Sequence, residues 1–261
     1  MKESVQDLFS LKGKVALVTG GYGGIGQAIS EGLAALGAKV AVSGRNLEKA
    51  EACAASFNSH GFEAYGCGFD VVSVDQIQQM VNQVANHFGR LDILINTVGL
   101  NREEKATEVT EQAFDYVLDV NLKGAMFQAQ AAARQMIKQA TGGKQVHLGS
   151  VRTQLALRGR GYAAYCSAKG GLGVLCKQLA AEWAPSKINV NVVAPTFIET
   201  EQVAKMLSDP SFRESIVNRI PLGRIGTTQD VMGAVLFLVS PASDFITGQT
   251  LYVDGGITAT Q

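Results

Sequence analysis

Tyr165-Cys166-Ser167-Ala168-Lys169 puts a phenol and an ammonium four residues apart. On a helix that spacing sets both side chains on one face, one turn from each other. A free phenol titrates near ~10 and exchanges protons poorly at neutral pH. A neighbouring cation favours the phenolate, so Lys169 is expected to lower Tyr165, which then serves as acid in one direction and base in the other. Far upstream, Thr19–Gly26 reads TGGYGGIG. Glycines there let the backbone turn sharply and approach a pyrophosphate, and the following helix start offers free N–H groups. Gly20, Gly24, Ile25 and Gly26 are the expected cradle, with Tyr22 flanking a phosphate or ribose; the bland alternative is an ordinary tight turn. The next apolar run ends Ser43-Gly44-Arg45-Asn46, where a carboxylate would serve the ribose of NAD. Arg45 suits a 2′-phosphate instead, so NADP is expected ahead of NAD.

These groups need a scaffold that gathers strand ends at one edge, and the chain reads that way. Lys14–Thr19, Lys39–Ser43, Glu63–Phe69, Leu91–Asn96, Gln145–Leu148, Ile188–Val193 and Thr250–Val253 read as strands. Gln27–Leu36, Leu47–Asn58, Val74–Phe88, Phe114–Gln139 and Tyr162–Trp183 read as helices between them. Continuous apolar runs mark strands covered on both faces, hence a parallel sheet. The alternation predicts an α/β fold, a doubly wound Rossmann-type parallel sheet of about seven strands with helices on both faces. Thr196–Ile220 carries mixed charge and no strand pattern, as a substrate lid would. Residues 1–261 are expected to form one dinucleotide-binding and catalytic domain.

Composition removes other classes. Lys+Arg 23 balances Asp+Glu 23, so no nucleic-acid or anionic-membrane partner is expected. Gly is 29 of 261 with Pro only 5, which suits repeated strand-to-helix turns. Cys53, Cys67, Cys166 and Cys176, with His60, His87 and His147, show no metal-ligand spacing. The cysteines read as reduced thiols, residues Met1–Lys14 lack an apolar leader core, and a cytoplasmic setting is expected. The run Val231–Val239 is too short to span a bilayer.

In order along the chain stand TGGYGGIG, Asn96-Thr97-Val98-Gly99, Asn121 in DVNLKG, Ser150 and YCSAK. Together they resemble the short-chain dehydrogenase/reductase family over nearly the whole chain. The resemblance implies Tyr165 as acid/base, Lys169 lowering its pKa and holding the nicotinamide ribose, Ser150 orienting the substrate oxygen, and Asn121 holding a relay water. It also implies Asp70 with Val71 at the adenine, Asn96 and Gly99 beside the adenosine ribose, and Pro195, Ile198 and Thr200 at the nicotinamide. Three departures stand out: Val98 replaces the usual Ala, Thr196 replaces the Gly after Pro195, and the Ser150–Tyr165 gap is two residues longer than common. Thr153 is the rival hydroxyl to Ser150. His147 reads as a packed strand residue, and Asp254-Gly255-Gly256 resembles the family's closing turn.

The expected activity is NAD(P)-dependent interconversion of a secondary alcohol and a ketone. The alternatives are a 3-oxoacyl thioester reductase and a non-catalytic dinucleotide sensor. The sequence also looks similar to sugar-acid and polyol members of the family. Arg152, Arg158 and Arg160 lie between Ser150 and Tyr165 without an acidic neighbour and suit a carboxylate, Arg152 foremost. Asn101, Thr153, Gln154 and Thr196 suit a polyhydroxylated small-molecule substrate. A homotetramer is expected, because the family commonly pairs the helices matching Asn121–Gln139 and Tyr162–Trp183.

Overall fold

Seven parallel strands follow the order β3-β2-β1-β4-β5-β6-β7 in the computed structural model, which describes residues 4–260. They are β1 Val15–Thr19, β2 Lys39–Gly44, β3 Ala64–Gly68, β4 Ile93–Asn96, β5 Gly143–Leu148, β6 Ile188–Pro195 and β7 Thr250–Val253. Every residue of β1 and β4 is buried, so the hydrophobic run is continuous instead of alternating. The chain reverses direction across the sheet between β1 and β4, and the carboxyl ends of these strands open a crevice there.

Helices α1 Gly24–Ala35, α2 Leu47–Ser59 and α9 Thr228–Val239 cover one face. Helices α3 Val74–Phe88, α5 Gly124–Gln139 and α6 Ala163–Trp183 cover the other. Asn46, Ser73 and Thr227 cap α2, α3 and α9 with side-chain oxygens. The start of α1, at Gly23, has no side-chain cap. Between β6 and α9 the chain leaves the sheet and forms α7 Glu201–Leu207 and α8 Pro210–Val217. This lid has its own small core of Leu207, Ile216, Ile220 and Ile225, with Phe197, Val203, Phe212 and Val217 against it.

Several expected boundaries change. Helix α1 starts at Gly24 and not at Gln27, so the end of the glycine turn is already helical. The expected helix Phe114–Gln139 is two helices, α4 Glu111–Leu118 and α5, joined by a π-helical turn at Asp119–Lys123. Helix α9 was not expected as an element. It is apolar nearly all round because it packs on both α1 and the sheet, which erases the one-sided stripe. The Thr196–Ile220 stretch contains two short helices, with one isolated bridge, Ile198 to Gly226, at its base.

Candidate active site

A cleft of about 690 Å3 runs along the carboxyl ends of the strands, from the glycine turn to the lid. At one end Gly20, Tyr22, Gly24, Ile25 and Gly26 form its floor. Gly20 has φ +77°, and a Cβ there would lie 2.5 Å from Thr97 Oγ1. A Cβ on Gly26 would run into the Gly20 carbonyl. The Gly20 N–H donates to Ser43 O at 2.7 Å, and Ser30 Oγ donates to the carbonyls of Gly21 and Gly26. The turn is therefore locked from below, and at Gly20, Gly24 and Gly26 it presents backbone without a Cβ, which a pyrophosphate can approach closely. Tyr22 lays its ring over Gly44, and its hydroxyl accepts from the Asn46 N–H at 3.1 Å. Arg45, Asp70 and Val71 border the same end. The Asp70 N–H donates to Gln76 Oε1 at 2.8 Å, which fixes the loop after β3.

Tyr165 and Lys169 meet at the middle of the cleft with Ser150. Ser150 stands close enough to the Tyr165 hydroxyl to favour its ionised form, and its Oγ accepts from the Arg152 N–H at 3.2 Å. Lys169 Nζ donates to Leu148 O at 2.7 Å and stands 5.7 Å from the Tyr165 ring centre. Asn121 sits in the π turn, donating to Val117 O and Leu100 O at 2.8 Å each and accepting from the Leu100 N–H. The added residue of that turn directs Asn121 inward toward Gly99, whose open side also faces Lys169 Nζ. The four residues expected to act together are thus gathered from α4–α5, β5 and α6.

The protonation balance differs from the expectation. Burial pushes Tyr165 up to about 12, despite the nearby Ser150 hydroxyl, which favours the phenolate. Burial holds Lys169 down to about 8. A cation that is itself poorly solvated and turned onto the Leu148 carbonyl does not offset the cost of burying a phenolate. Without cofactor, Tyr165 is an acid that keeps its proton.

Other expected residues take different places. Asn96 lies beneath the cleft floor and not at its wall: its Oδ1 accepts from the Val98 N–H at 3.0 Å, and its amide faces His147 Nδ1 at 3.3 Å. Thr153 turns away, donating to Ser150 O and pairing with the Tyr252 hydroxyl at 2.9 Å, so Ser150 is the hydroxyl that meets Tyr165. Of the three arginines only Arg152 lines the cleft, and its Nη1 already donates to Leu155 O and Ala156 O. Arg160 is paired with Glu103. Gln154 and Arg158 are not at the cleft wall, whereas Asn101 and Thr196 are, each with a buried side-chain oxygen that no protein group bonds. Pro195, Ile198 and Thr200 line the cleft, and Thr200 faces the glycine turn: a Cβ on Gly24 would lie 3.2 Å from its methyl. Sequence reasoning missed the apolar wall of Phe69, Tyr116, Leu157, Tyr162 and Phe197, whose residue types carry no chemical signature.

A crevice at the strand-order reversal, a glycine-rich turn under a helix start and a Ser–Tyr–Lys cluster define a nicotinamide-dependent dehydrogenase fold. A family model described as enoyl-(acyl carrier protein) reductase matches residues 20–258. The chain is 38% identical over 252 residues to a gluconate 5-dehydrogenase of Gluconobacter oxydans, covering 97% of each. It is 36% identical over 249 residues to a 2-dehydro-3-deoxy-D-gluconate 5-dehydrogenase of Escherichia coli, covering 95% of this chain and 96% of that one. The crystal structure of a gluconate 5-dehydrogenase from Burkholderia cenocepacia in complex with NADP and tartrate superposes with a TM-score of 0.94 at 37% identity, covering 99% of this chain and 100% of that one. The chain belongs to the short-chain dehydrogenase/reductase family. It is an oxidoreductase acting on CH–OH groups.

Proposed function

We propose that this enzyme interconverts a secondary alcohol and a ketone on a sugar acid or related polyol, using NADP. One observation carries the reading: Ser150, Tyr165 and Lys169 converge in a cleft whose far end is a glycine-rich turn bordered by Arg45. Gly20, Gly24 and Gly26 would hold the pyrophosphate, Arg45 the 2′-phosphate, Asp70 and Val71 the adenine end, and Lys169, Pro195, Ile198 and Thr200 the nicotinamide end. When bound, the dinucleotide supplies or accepts the hydride. In ketone reduction, Tyr165 donates its phenolic proton to the carbonyl oxygen, Ser150 holds that oxygen by a hydrogen bond, and Lys169 beneath them steadies the phenolate left behind. Oxidation returns the proton to Tyr165. Asn121 anchors the turn that faces Lys169 across Gly99. Asn101 and Thr196 offer oxygens to substrate hydroxyls, and Arg152 its remaining N–H groups to a carboxylate. The relatives named for gluconates and the tartrate-bound neighbour support an acidic polyhydroxylated substrate.

Oxidation of NADPH followed by absorbance decides the substrate, with keto sugar acids, neutral ketones and 3-oxoacyl thioesters compared and NADH run in parallel. A preference for thioesters would favour the acyl alternative. Tyr165→Phe should still bind NADPH yet lose about 10²–10⁴-fold in turnover, the usual contribution of a proton-transfer group; near wild-type activity would remove Tyr165 from its role. Arg45→Asp should lower kcat/KM for NADPH by about 10- to 100-fold, the worth of a charge-assisted bond. Wild-type preference for NADH would overturn the cofactor assignment.

Self-association, to a homotetramer, is part of the same proposal. Leu118, Leu122, Met126, Val174 and Leu175 line an apolar groove on the outer side of α4, α5 and α6. Gly171 puts no side chain into that groove, which leaves room for another helix to approach. A cytoplasmic setting fits the four free thiols.

A further inference from the structure

The substrate end of the cleft is walled by three segments: the β4–α4 loop, the β5–α6 loop and the lid. Arg160 touches all three. Its guanidinium forms a two-pronged ion pair with Glu103 of the β4–α4 loop. It also lies 6.0 Å from the ring centre of Phe212 on α8 and 5.6 Å from that of Tyr162. From these rings two aromatic contacts lead inward. Phe212 meets Phe197 edge to face with centroids 6.0 Å apart, and Phe197 lines the cleft. Tyr162 meets Tyr165 in the same way at 5.9 Å.

The two loops are built to meet at this point. The Glu104 N–H donates to Gly161 O at 3.2 Å, and a Cβ on Gly161 would run into the Glu104 backbone. The segment between Ser150 and Tyr165 carries Arg160 out to Glu103. The lid, by contrast, packs its own apolar cluster, and its Arg213–Glu199 pair at 2.9 Å closes within it. Glu103 is held below the ordinary carboxylate range, first by the Arg160 hydrogen bonds, so the pair stays charged at neutral pH.

We propose that Arg160 is a positioning residue that clasps the lid to the body, with Glu103 as its anchor and Phe212 as its seat, and so sets where Phe197 stands over the substrate. The proposal rests on the oxidoreductase reading for the identity of the substrate, but not for the clasp itself. A cation held over an aromatic face is attractive, and an anchored guanidinium keeps that geometry at little further entropy cost.

Two measurements test it. In steady-state kinetics, Arg160→Ala should raise KM for the carbonyl substrate by about five- to tenfold, with kcat within about twofold and KM for NADPH unchanged. Phe212→Leu should do the same, and the double variant should be no worse than the stronger single one, because both break one contact. Arg160→Lys should recover part of the loss, and Glu103→Gln should give a smaller rise. In hydrogen exchange on the free protein, Arg160→Ala should speed exchange of the α7 and α8 amides and leave the sheet amides unchanged. Unchanged lid exchange, additive effects, or an equal rise in KM for NADPH would overturn the clasp. If the wild type turns over no carbonyl compound, the oxidoreductase reading fails, while the exchange result still decides the clasp.

Discussion

His147 shows how a polar residue can be placed beneath an active site at a cost that pH reveals. It is 1% exposed on β5, next to Lys169, and burial together with that cation holds it down to about 4. Its Nδ1 faces the Asn96 amide, whose oxygen is already committed to the Val98 N–H, so Nδ1 accepts and Nε2 carries the proton. The unfolded chain takes up a proton near the ordinary value of ~6.5, whereas the folded one waits until about 4. Between those values the unfolded state binds more protons, so stability is full above pH ~6.5 and falls as the medium is acidified toward 4. The loss should reach about 3 kcal/mol. Urea unfolding of wild type and His147→Asn at several pH values in this window checks it; equal pH slopes would show that another group is responsible. The acid/base residues were legible because Tyr165 and Lys169 carry their chemistry in their spacing. The direction of the Tyr165 shift was not, because it depends on burial, which no spacing reports.

At the level of elements, the strands were legible to within about two residues, most of them because Val-, Ile- and Leu-rich runs mark strands buried on both faces. The helix starts were less so. Glycines are poor helix formers, and Gly24–Gly26 read as turn, but the close stacking of Gly26 on the Gly20 carbonyl draws them into α1. The break at Asp119–Lys123 carries no Pro and has its Gly only afterwards; it arises from the inward hydrogen bonds of Asn121. Thr227 and Asp230, three apart, form a capping box that marked the start of α9, a signal that its uniform hydrophobicity concealed. Gly26→Ala tests the glycine turn. The added methyl must displace the Gly20 carbonyl, an overpacking cost of about 1–3 kcal/mol, and NADP affinity should fall by about tenfold or more. Calorimetric titration with NADP measures it, and unaltered affinity would remove the cradle role.

For the whole molecule, the alternation of apolar and helical runs was enough to expect a doubly wound parallel sheet. The strand order was not legible, because it depends on which way each crossover turns, which no run reports. Association was only implied by resemblance; the apolar groove beside α5 and α6 is where the proposed self-association can be tested. Val174 is 67% exposed at the edge of that groove. Val174→Glu would put a charge against an apolar partner face and should lower the mass seen by light scattering, with kcat/KM changed little if each subunit holds its own cleft. An unchanged mass would place the contact elsewhere.

The lid is cored by side chains from residues 197–225, apart from the two large clusters that hold the sheet. Its packing is therefore settled locally, and a substitution that reshapes Phe197, Val203 or Phe212 disturbs a small module and leaves the main cores intact. Substrate range in this scaffold can accordingly drift, or be re-engineered, without drawing on the stability reserve that the rest of the chain needs to fold.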